Sequence, residues 1–366
     1  MYRRLRRVEG LPGPRMCVDG HDVLMLAGSN YLDLAGDPRV LAAARTAIES
    51  AGCAAGGSRL ISGNLALHED LEKDLASFVG GEAALLFSTG YMANLGVITT
   101  LAGPDDVIVS DALNHASIID ACRLSRATTR VFRHNDPQDL ARVAGGCAGF
   151  RRRVLVLDAV YSMDGDVARL HEMAAIAREY EMLIVLDDVH GLGILGPGGR
   201  GVASQEGVEV DIQIGNLGKA LGSFGAFAVC SQRLRELLIN RARSFIFTCG
   251  LAPAAAGAAH AALAIVEQEP WRRLTLLERS EQLRSGLKAA GFDTAASTTH
   301  IVPAIIGNNE EVMRLCERAL ELGVYAQGIR YPSVPEGTAR LRFTPMCSHS
   351  PSDIDFVLQI FNKLHP

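Results

Sequence analysis

The sequence is poor in the features that mark several protein classes. Its eight cysteines (Cys17, Cys53, Cys122, Cys147, Cys230, Cys249, Cys316 and Cys347) are scattered, with no close pair. That spacing argues against a disulfide framework or a clustered metal site, and it fits reduced thiols in a cytoplasmic protein. No apolar stretch is long enough to span a bilayer, so no membrane association is expected. The one basic run, Tyr2-Arg3-Arg4-Leu5-Arg6-Arg7, lacks the apolar region that follows in a secretory signal. A formal net charge of −5 without a basic tract argues against a nucleic-acid partner. Internal repeats and low-complexity segments are missing as well. What is present is 366 residues, 48% of them hydrophobic, enough for one large domain and a smaller appended one.

Across the middle of the chain, short apolar runs alternate with amphipathic stretches. The expected strands are Ala84–Phe87, Val107–Val109, Val154–Leu157, Leu183–Leu186, Ile212–Ile214 and Gly225–Val229. Several are apolar on both faces, as strands of a helix-covered parallel sheet must be. Between two of them Leu170, Met173, Ile176, Ala177 and Tyr180 follow helical spacing. This rhythm predicts an open α/β sheet with ligands bound beyond the carboxyl ends of its strands. Around Glu267-Gln268-Glu269-Pro270-Trp271 the pattern changes. The remainder reads as an α+β unit, with a helix near Glu310–Leu322 and strands near Ile301–Ile306 and Ala339–Phe343. The expected division is 1–33 as an N-terminal segment packed on the smaller unit, 34–265 as a large domain and 266–366 as a small one.

The chemistry centres on Lys219, in Gly215-Asn216-Leu217-Gly218-Lys219-Ala220-Leu221-Gly222 just after an apolar run. An amine confined among small residues loses solvation, which favours its neutral, nucleophilic form. Such a lysine forms Schiff bases with carbonyls, the aldehyde of pyridoxal 5'-phosphate among them. A second strand end carries Asp187-Asp188-Val189-His190-Gly191. A carboxylate there holds a pyridine nitrogen protonated, and His190 is three residues away for the ring's phenolic oxygen. A phosphate cradle fits Ser88-Thr89-Gly90-Tyr91-Met92-Ala93-Asn94, where a helix start offers backbone N–H groups and Gly90 admits close approach. His115 and Ser162 each follow a strand end. The first is a flat ring suited to stacking or to capping, the second a hydroxyl suited to a ring oxygen or to a turn. In Arg340-Leu341-Arg342 the two arginines share one face; Arg342 suits bidentate capture of a substrate carboxylate, and Arg340 a surface salt bridge. The run Gly191-Leu192-Gly193-Ile194-Leu195-Gly196 raises a rival, a nicotinamide-dependent dehydrogenase. That motif needs its third glycine to open a helix, and Pro197-Gly198-Gly199-Arg200-Gly201 forbids one.

Taken together these segments resemble the α-oxoamine synthases, the fold-type I pyridoxal-phosphate acyltransferases. Gly56-Gly57-Ser58-Arg59-Leu60-Ile61-Ser62-Gly63, Tyr161-Ser162-Met163-Asp164-Gly165-Asp166 and Pro332-Ser333-Val334-Pro335-Glu336-Gly337-Thr338 carry the resemblance, along with the lysine and aspartate segments. It implies a large domain whose mostly parallel sheet lies between helices, plus a smaller α+β C-terminal domain. It further implies that Lys219 carries the cofactor, Asp187 contacts its ring nitrogen, His190 and Ser162 flank the ring oxygen, and His115 stacks on the ring. Backbone at Gly90 and Tyr91 would hold phosphate, Arg342 the amino-acid carboxylate, and Arg3 and Ser333 would line the substrate channel. The family is dimeric with shared sites, which makes a homodimer the expected assembly.

The implied reaction is decarboxylative condensation of an amino acid with an acyl thioester on coenzyme A or a carrier protein. Ser58, where the members using glycine with succinyl-CoA tend to have threonine, leaves room for one methyl and points to L-alanine; the resemblance implies a pimeloyl thioester as its partner. The alternatives are a sister synthase using glycine with acetyl- or succinyl-CoA, and a non-catalytic subunit of the same fold. Asn216, Cys249, Ser29 and Asp33 depart from the family pattern; Asn216, in place of threonine or serine, still offers an amide to phosphate.

Overall fold

The computed structural model describes residues 4–364. In chain order its strands are β1 (Val8–Glu9), β2 (Arg15–Val18), β3 (His21–Met25), β4 (Ala83–Phe87), β5 (Val107–Asp111), β6 (Thr128–Phe132) and β7 (Arg153–Asp158). They continue as β8 (Leu183–Asp187), β9 (Ile212–Asn216), β10 (Ala226–Cys230), β11 (Val302–Gly307), β12 (Val324–Tyr325), β13 (Gln327–Ile329) and β14 (Ala339–Phe343). The first four helices are α1 (Pro38–Ala51), α2 (Ala66–Val79), α3 (Gly90–Leu101) and α4 (Ala116–Ser125). Two compact units form. The larger comprises Pro38–Tyr161 and Ala168–Gln268; the smaller takes the chain up to Asp37, Ser162–Val167 and the chain from Glu269.

The larger unit is built on a seven-stranded sheet in the order β4-β10-β9-β8-β7-β5-β6. β10 runs antiparallel to both its neighbours, and the other neighbouring pairs are parallel. The six strands expected from apolar runs are all present. β6 is the addition: Thr128-Thr129-Arg130-Val131-Phe132 buries its last residue alone, because an edge strand open to solvent needs no apolar run. In the interior, Leu85, Ile108, Val156, Val185 and Ile214 pack with Ala93, Val97 and Ile98 of α3 and Ile118 and Ala121 of α4. Each of the valine, leucine and isoleucine side chains among them, once fully buried, contributes about 1.5–3 kcal/mol. The Leu170–Glu179 helix buries Leu170, Met173 and Ala177 of the expected set and adds Ala174, while Ile176 and Tyr180 are half-buried. The sheet's arrangement has one consequence for chemistry: β5, β7, β8 and β9 end on Asp111, Asp158, Asp187 and Asn216, so polar groups line up at one edge.

In the smaller unit, β1, β2 and β3 form a sheet with β12, and β11, β14 and β13 form a second. The N-terminal stretch therefore packs in this unit, with Leu24 and Leu26 entering a core that includes Leu341, Phe343 and Phe361. The Asn309–Glu321 helix and β14 fall where the sequence places them. Ser162–Val167 lies inside the large-domain range of the sequence reading, yet it is held in the smaller unit. The Gly165 carbonyl accepts from Thr298 N at 3.2 Å and Thr299 Oγ1 at 2.8 Å, partners more than 130 residues away. Among the described residues no helix is long and apolar enough to cross a membrane.

Candidate active site

At the end of β8, Asp187 is 3% exposed. Its Oδ2 accepts from Asn94 Nδ2 at 2.6 Å, and its Oδ1 from Val189 N at 3.2 Å. Asn94 sits one helical turn beyond Gly90 on α3, so the helix start and this amide share a face. The same Nδ2 donates to Ser117 Oγ at 2.9 Å. Ser117 in turn contacts His115 Nδ1 through Oγ at 2.7 Å and through its backbone N at 3.2 Å. A backbone N–H can only donate, so Nδ1 is the acceptor and the neutral ring carries its proton on Nε2. Although the ring keeps an accessible face, surrounding protein desolvates its cation and holds His115 below the usual histidine range. Asp187 opposes that shift and Lys219 adds to it. His115 is thus the N-cap of α4, one of the two roles the sequence left open.

Facing this network is a carboxyl that sequence reading did not single out. Asp158 ends β7 in register with Asp187 and accepts the His115 backbone N–H at 2.7 Å. Burial, reinforced by the Asp187 charge, pushes it well above the carboxylate range.

The segment expected to cradle phosphate lies at the junction of β4 and α3. Thr89 caps the helix, accepting from Met92 N at 3.1 Å, and the first N–H groups of the helix, at Gly90 and Tyr91, have no intrahelical acceptor. Asn216 Oδ1 accepts from Gly218 N at 2.6 Å, which leaves its amide nitrogen turned the other way. A Cβ on Gly90 would lie 3.1 Å from that nitrogen, so glycine keeps the space between them open. Tyr91 directs its hydroxyl outward to Asp120 Oδ2 at 2.8 Å. Lys219 is half-buried in the turn after β9, and its carbonyl accepts from Gly222 N at 3.0 Å. His190 is buried in the turn after β8.

The glycine run after His190 has a structural explanation, and it is not a dinucleotide motif. Gly196 opens no α-helix; a 3-10 turn at Pro197–Gly199 follows. The run wraps around Asp188 instead. Its Oδ2 accepts from Val202 N at 2.8 Å and Gln213 Nε2 at 2.9 Å, while a Cβ on Gly191 would sit 2.1 Å from Oδ1. Oδ1 has no hydrogen-bond partner among the described residues. Burial pushes this carboxyl up to about 8. The folded chain therefore binds a proton here that the unfolded chain, titrating near ~3.9, releases earlier. Stability falls as pH rises between those values, by at most about 1.4 kcal/mol per pH unit. Asp188→Asn is expected to remove that slope. Urea unfolding at pH 6 and pH 8 should show the wild type losing about 2 kcal/mol at the higher pH that the variant keeps. Parallel behaviour of the two proteins would refute the assignment.

In the smaller unit Arg342 Nε donates to the Ser162 carbonyl at 2.6 Å, and among the described residues its terminal nitrogens have no partner. Arg340 is not the surface salt bridge expected from its alternation: it is 4% exposed and pairs with Asp164. Its stem leaves a strand whose face is covered, so the charge is neutralised inside. Ser333 is exposed on the loop before β14, its N–H bonded to the Arg330 carbonyl at 2.9 Å. Arg3 lies outside the described residues.

Residues 21–361 match the aminotransferase class I and II family. The chain belongs to that family. Among its relatives, 8-amino-7-oxononanoate synthase of Geobacter metallireducens is 49% identical over 358 residues, spanning 97% of this chain and 92% of its own. The 8-amino-7-oxononanoate synthase 2 of Bacillus subtilis is 42% identical over 364 residues, 100% and 94% of the two chains. A serine palmitoyltransferase from S. paucimobilis, solved with PLP bound as its myriocin adduct, superimposes with a TM-score of 0.95 at 34% identity, over 98% of this chain and 92% of that one. An 8-amino-7-oxononanoate synthase from Francisella tularensis gives 0.81 at 26% identity, over 93% and 97%. The family bears out the resemblance and the fold class drawn from the motifs, and its cofactor is pyridoxal 5'-phosphate. The donor set fits that group. Asn94 Oδ1 is buried without a partner among the described residues, Asp187 is an acceptor at a strand end, and Gly90 leaves room beside the Asn216 amide.

Proposed function

We propose that this enzyme joins L-alanine to a pimeloyl thioester, on coenzyme A or an acyl carrier protein, to give 8-amino-7-oxononanoate, CO2 and the free thiol carrier in biotin biosynthesis. We further propose that it works as a cytoplasmic homodimer. The observation that carries the reading is Lys219 in the same unit as an Asp187–Asn94–Ser117–His115 chain, in a protein 49% identical to a relative of that name.

When bound, pyridoxal 5'-phosphate supplies an aldehyde carbon that takes up an amine and a ring that accepts electrons as a bond at Cα breaks. The residues do the rest. Asp187, fixed by Asn94 and the Val189 N–H, would keep a proton on the ring nitrogen. Gly90 and Tyr91 N–H groups and the Asn216 amide would hold phosphate at the positive end of α3. His115 would pack its neutral ring flat against the cofactor, and His190 would donate to the ring oxygen. The Lys219 amine would remove and return the proton at the amino-acid Cα. Arg342, its Nε already anchored, keeps a free fork for the amino-acid carboxylate. Carbon–carbon bond formation between that Cα and the thioester carbonyl expels the thiol, and loss of the carboxylate as CO2 completes the balance.

The likeness to serine palmitoyltransferase favours a second reading, a sister synthase with another amino acid or a longer acyl chain. Mass spectrometry of products from alanine, glycine and serine with a panel of thioesters separates the two. Alanine with pimeloyl thioester is expected to exceed the other pairs by at least about tenfold, the discrimination a methyl-sized pocket supports. Preference for glycine or serine overturns the first reading.

A further inference from the structure

β7 and β8 end side by side on carboxyl groups, and the proposed reaction uses one of them. Asp158 and Asp187 are register partners across a parallel ladder, 4% and 3% exposed. Two buried carboxyls this close do not both ionise cheaply. The neighbours divide the work between them. Asp187 collects side-chain and loop donors from Asn94 and Val189, whereas Asp158 Oδ2 takes the backbone N–H of His115 at 2.7 Å. The Asp158 N–H is itself held by Asn114 Oδ1 at 2.9 Å, and the Asn114 amide donates to Val156 O at 2.8 Å and Ser110 Oγ at 2.9 Å. Two consecutive residues, Asn114 and His115, are thus pinned to the end of β7. The imidazole is then fixed from its other side by Ser117.

We propose that Asp158 is the positioning residue for His115: its carboxyl anchors the turn that presents the imidazole. This rests on the reading of His115 as the group that packs on pyridoxal phosphate. A neutral acid serves as the acceptor, in keeping with the upward shift of Asp158, so an amide of the same shape substitutes for it.

The test titrates pyridoxal phosphate into the protein, following binding by fluorescence and ring orientation by the circular dichroism of the bound cofactor. Asp158→Ala is expected to weaken binding about tenfold and to reduce the dichroic band, and Asp158→Asn to stay within about threefold. On a His115→Ala background, Asp158→Ala should change neither readout further. If the alanine variant fails to fold, Asp158→Val fills the buried space without an acceptor and takes its place. Unchanged binding and dichroism in the alanine or valine variant overturns the proposal, as does an undiminished effect on the His115→Ala background. Failure of the cofactor reading itself has a different signature, a wild-type protein that acquires no dichroic band at all.

Discussion

Lys219→Ala is expected to lower turnover by about three orders of magnitude, the range attributed to a positioned proton-transfer group. The expectation follows from the residue's setting: half-buried in the turn after β9, close enough to act electrostatically on His115 and Asp158. The sequence has four lysines, Lys73, Lys219, Lys288 and Lys363, which makes the chemical test clean. Borohydride treatment of the wild type with cofactor should add the mass of a reduced pyridoxyl phosphate to the Lys219 peptide and leave the other three unmodified. Lys219→Ala should lose both the added mass and the turnover while keeping its thermal transition. Label on another lysine, or turnover within tenfold of wild type, would remove the basis of the proposed reaction.

A second large effect is expected at Asp187. Asp187→Asn keeps the shape and removes the charge, so turnover should fall by about 10²- to 10³-fold, as when a preorganised electrostatic partner is lost. The side chain is 3% exposed, and in such low-dielectric surroundings its charge acts on a ring proton far more strongly than it would in water. KM for alanine should change little, because Asp187 would stabilise charge that develops after binding. A pH titration of the bound cofactor's absorbance supplies the independent readout. If the variant's spectrum titrates as the wild type does and turnover stays within threefold, Asp187 is not the partner of the ring nitrogen.

Much of the fold was legible in the sequence. β5, β7, β8 and β9 announce themselves as apolar runs because both their faces are covered, and Lys219, Asp187 and His190 stand out because they follow such runs directly. What stayed hidden depends on partners distant in the chain. Asn94 was visible as part of the Ser88–Asn94 segment; its four-residue spacing from Gly90 was the available signal, but its contact with Asp187 spans 93 positions. Asp158 was silent because an aspartate at a strand end looks alike whether it caps a turn or holds a histidine. Arg340 and Arg342 alternate identically, and it took Asp164 to show which is neutralised in the interior. The Gly191–Gly196 run was correctly set aside as a nucleotide motif, yet its actual partner, the Asp188 carboxyl, could be found only once the loop was folded back on it.

The discontinuity of the smaller unit bears on how the protein can be handled. β12 takes β3 as its parallel partner, Val324 opposite Leu24, and Leu24 and Leu26 belong to the same core as Phe343. A recombinant fragment starting at Glu269 would expose one ladder edge and leave two vacancies in its interior, so it should be insoluble unless the N-terminal forty residues are supplied in trans.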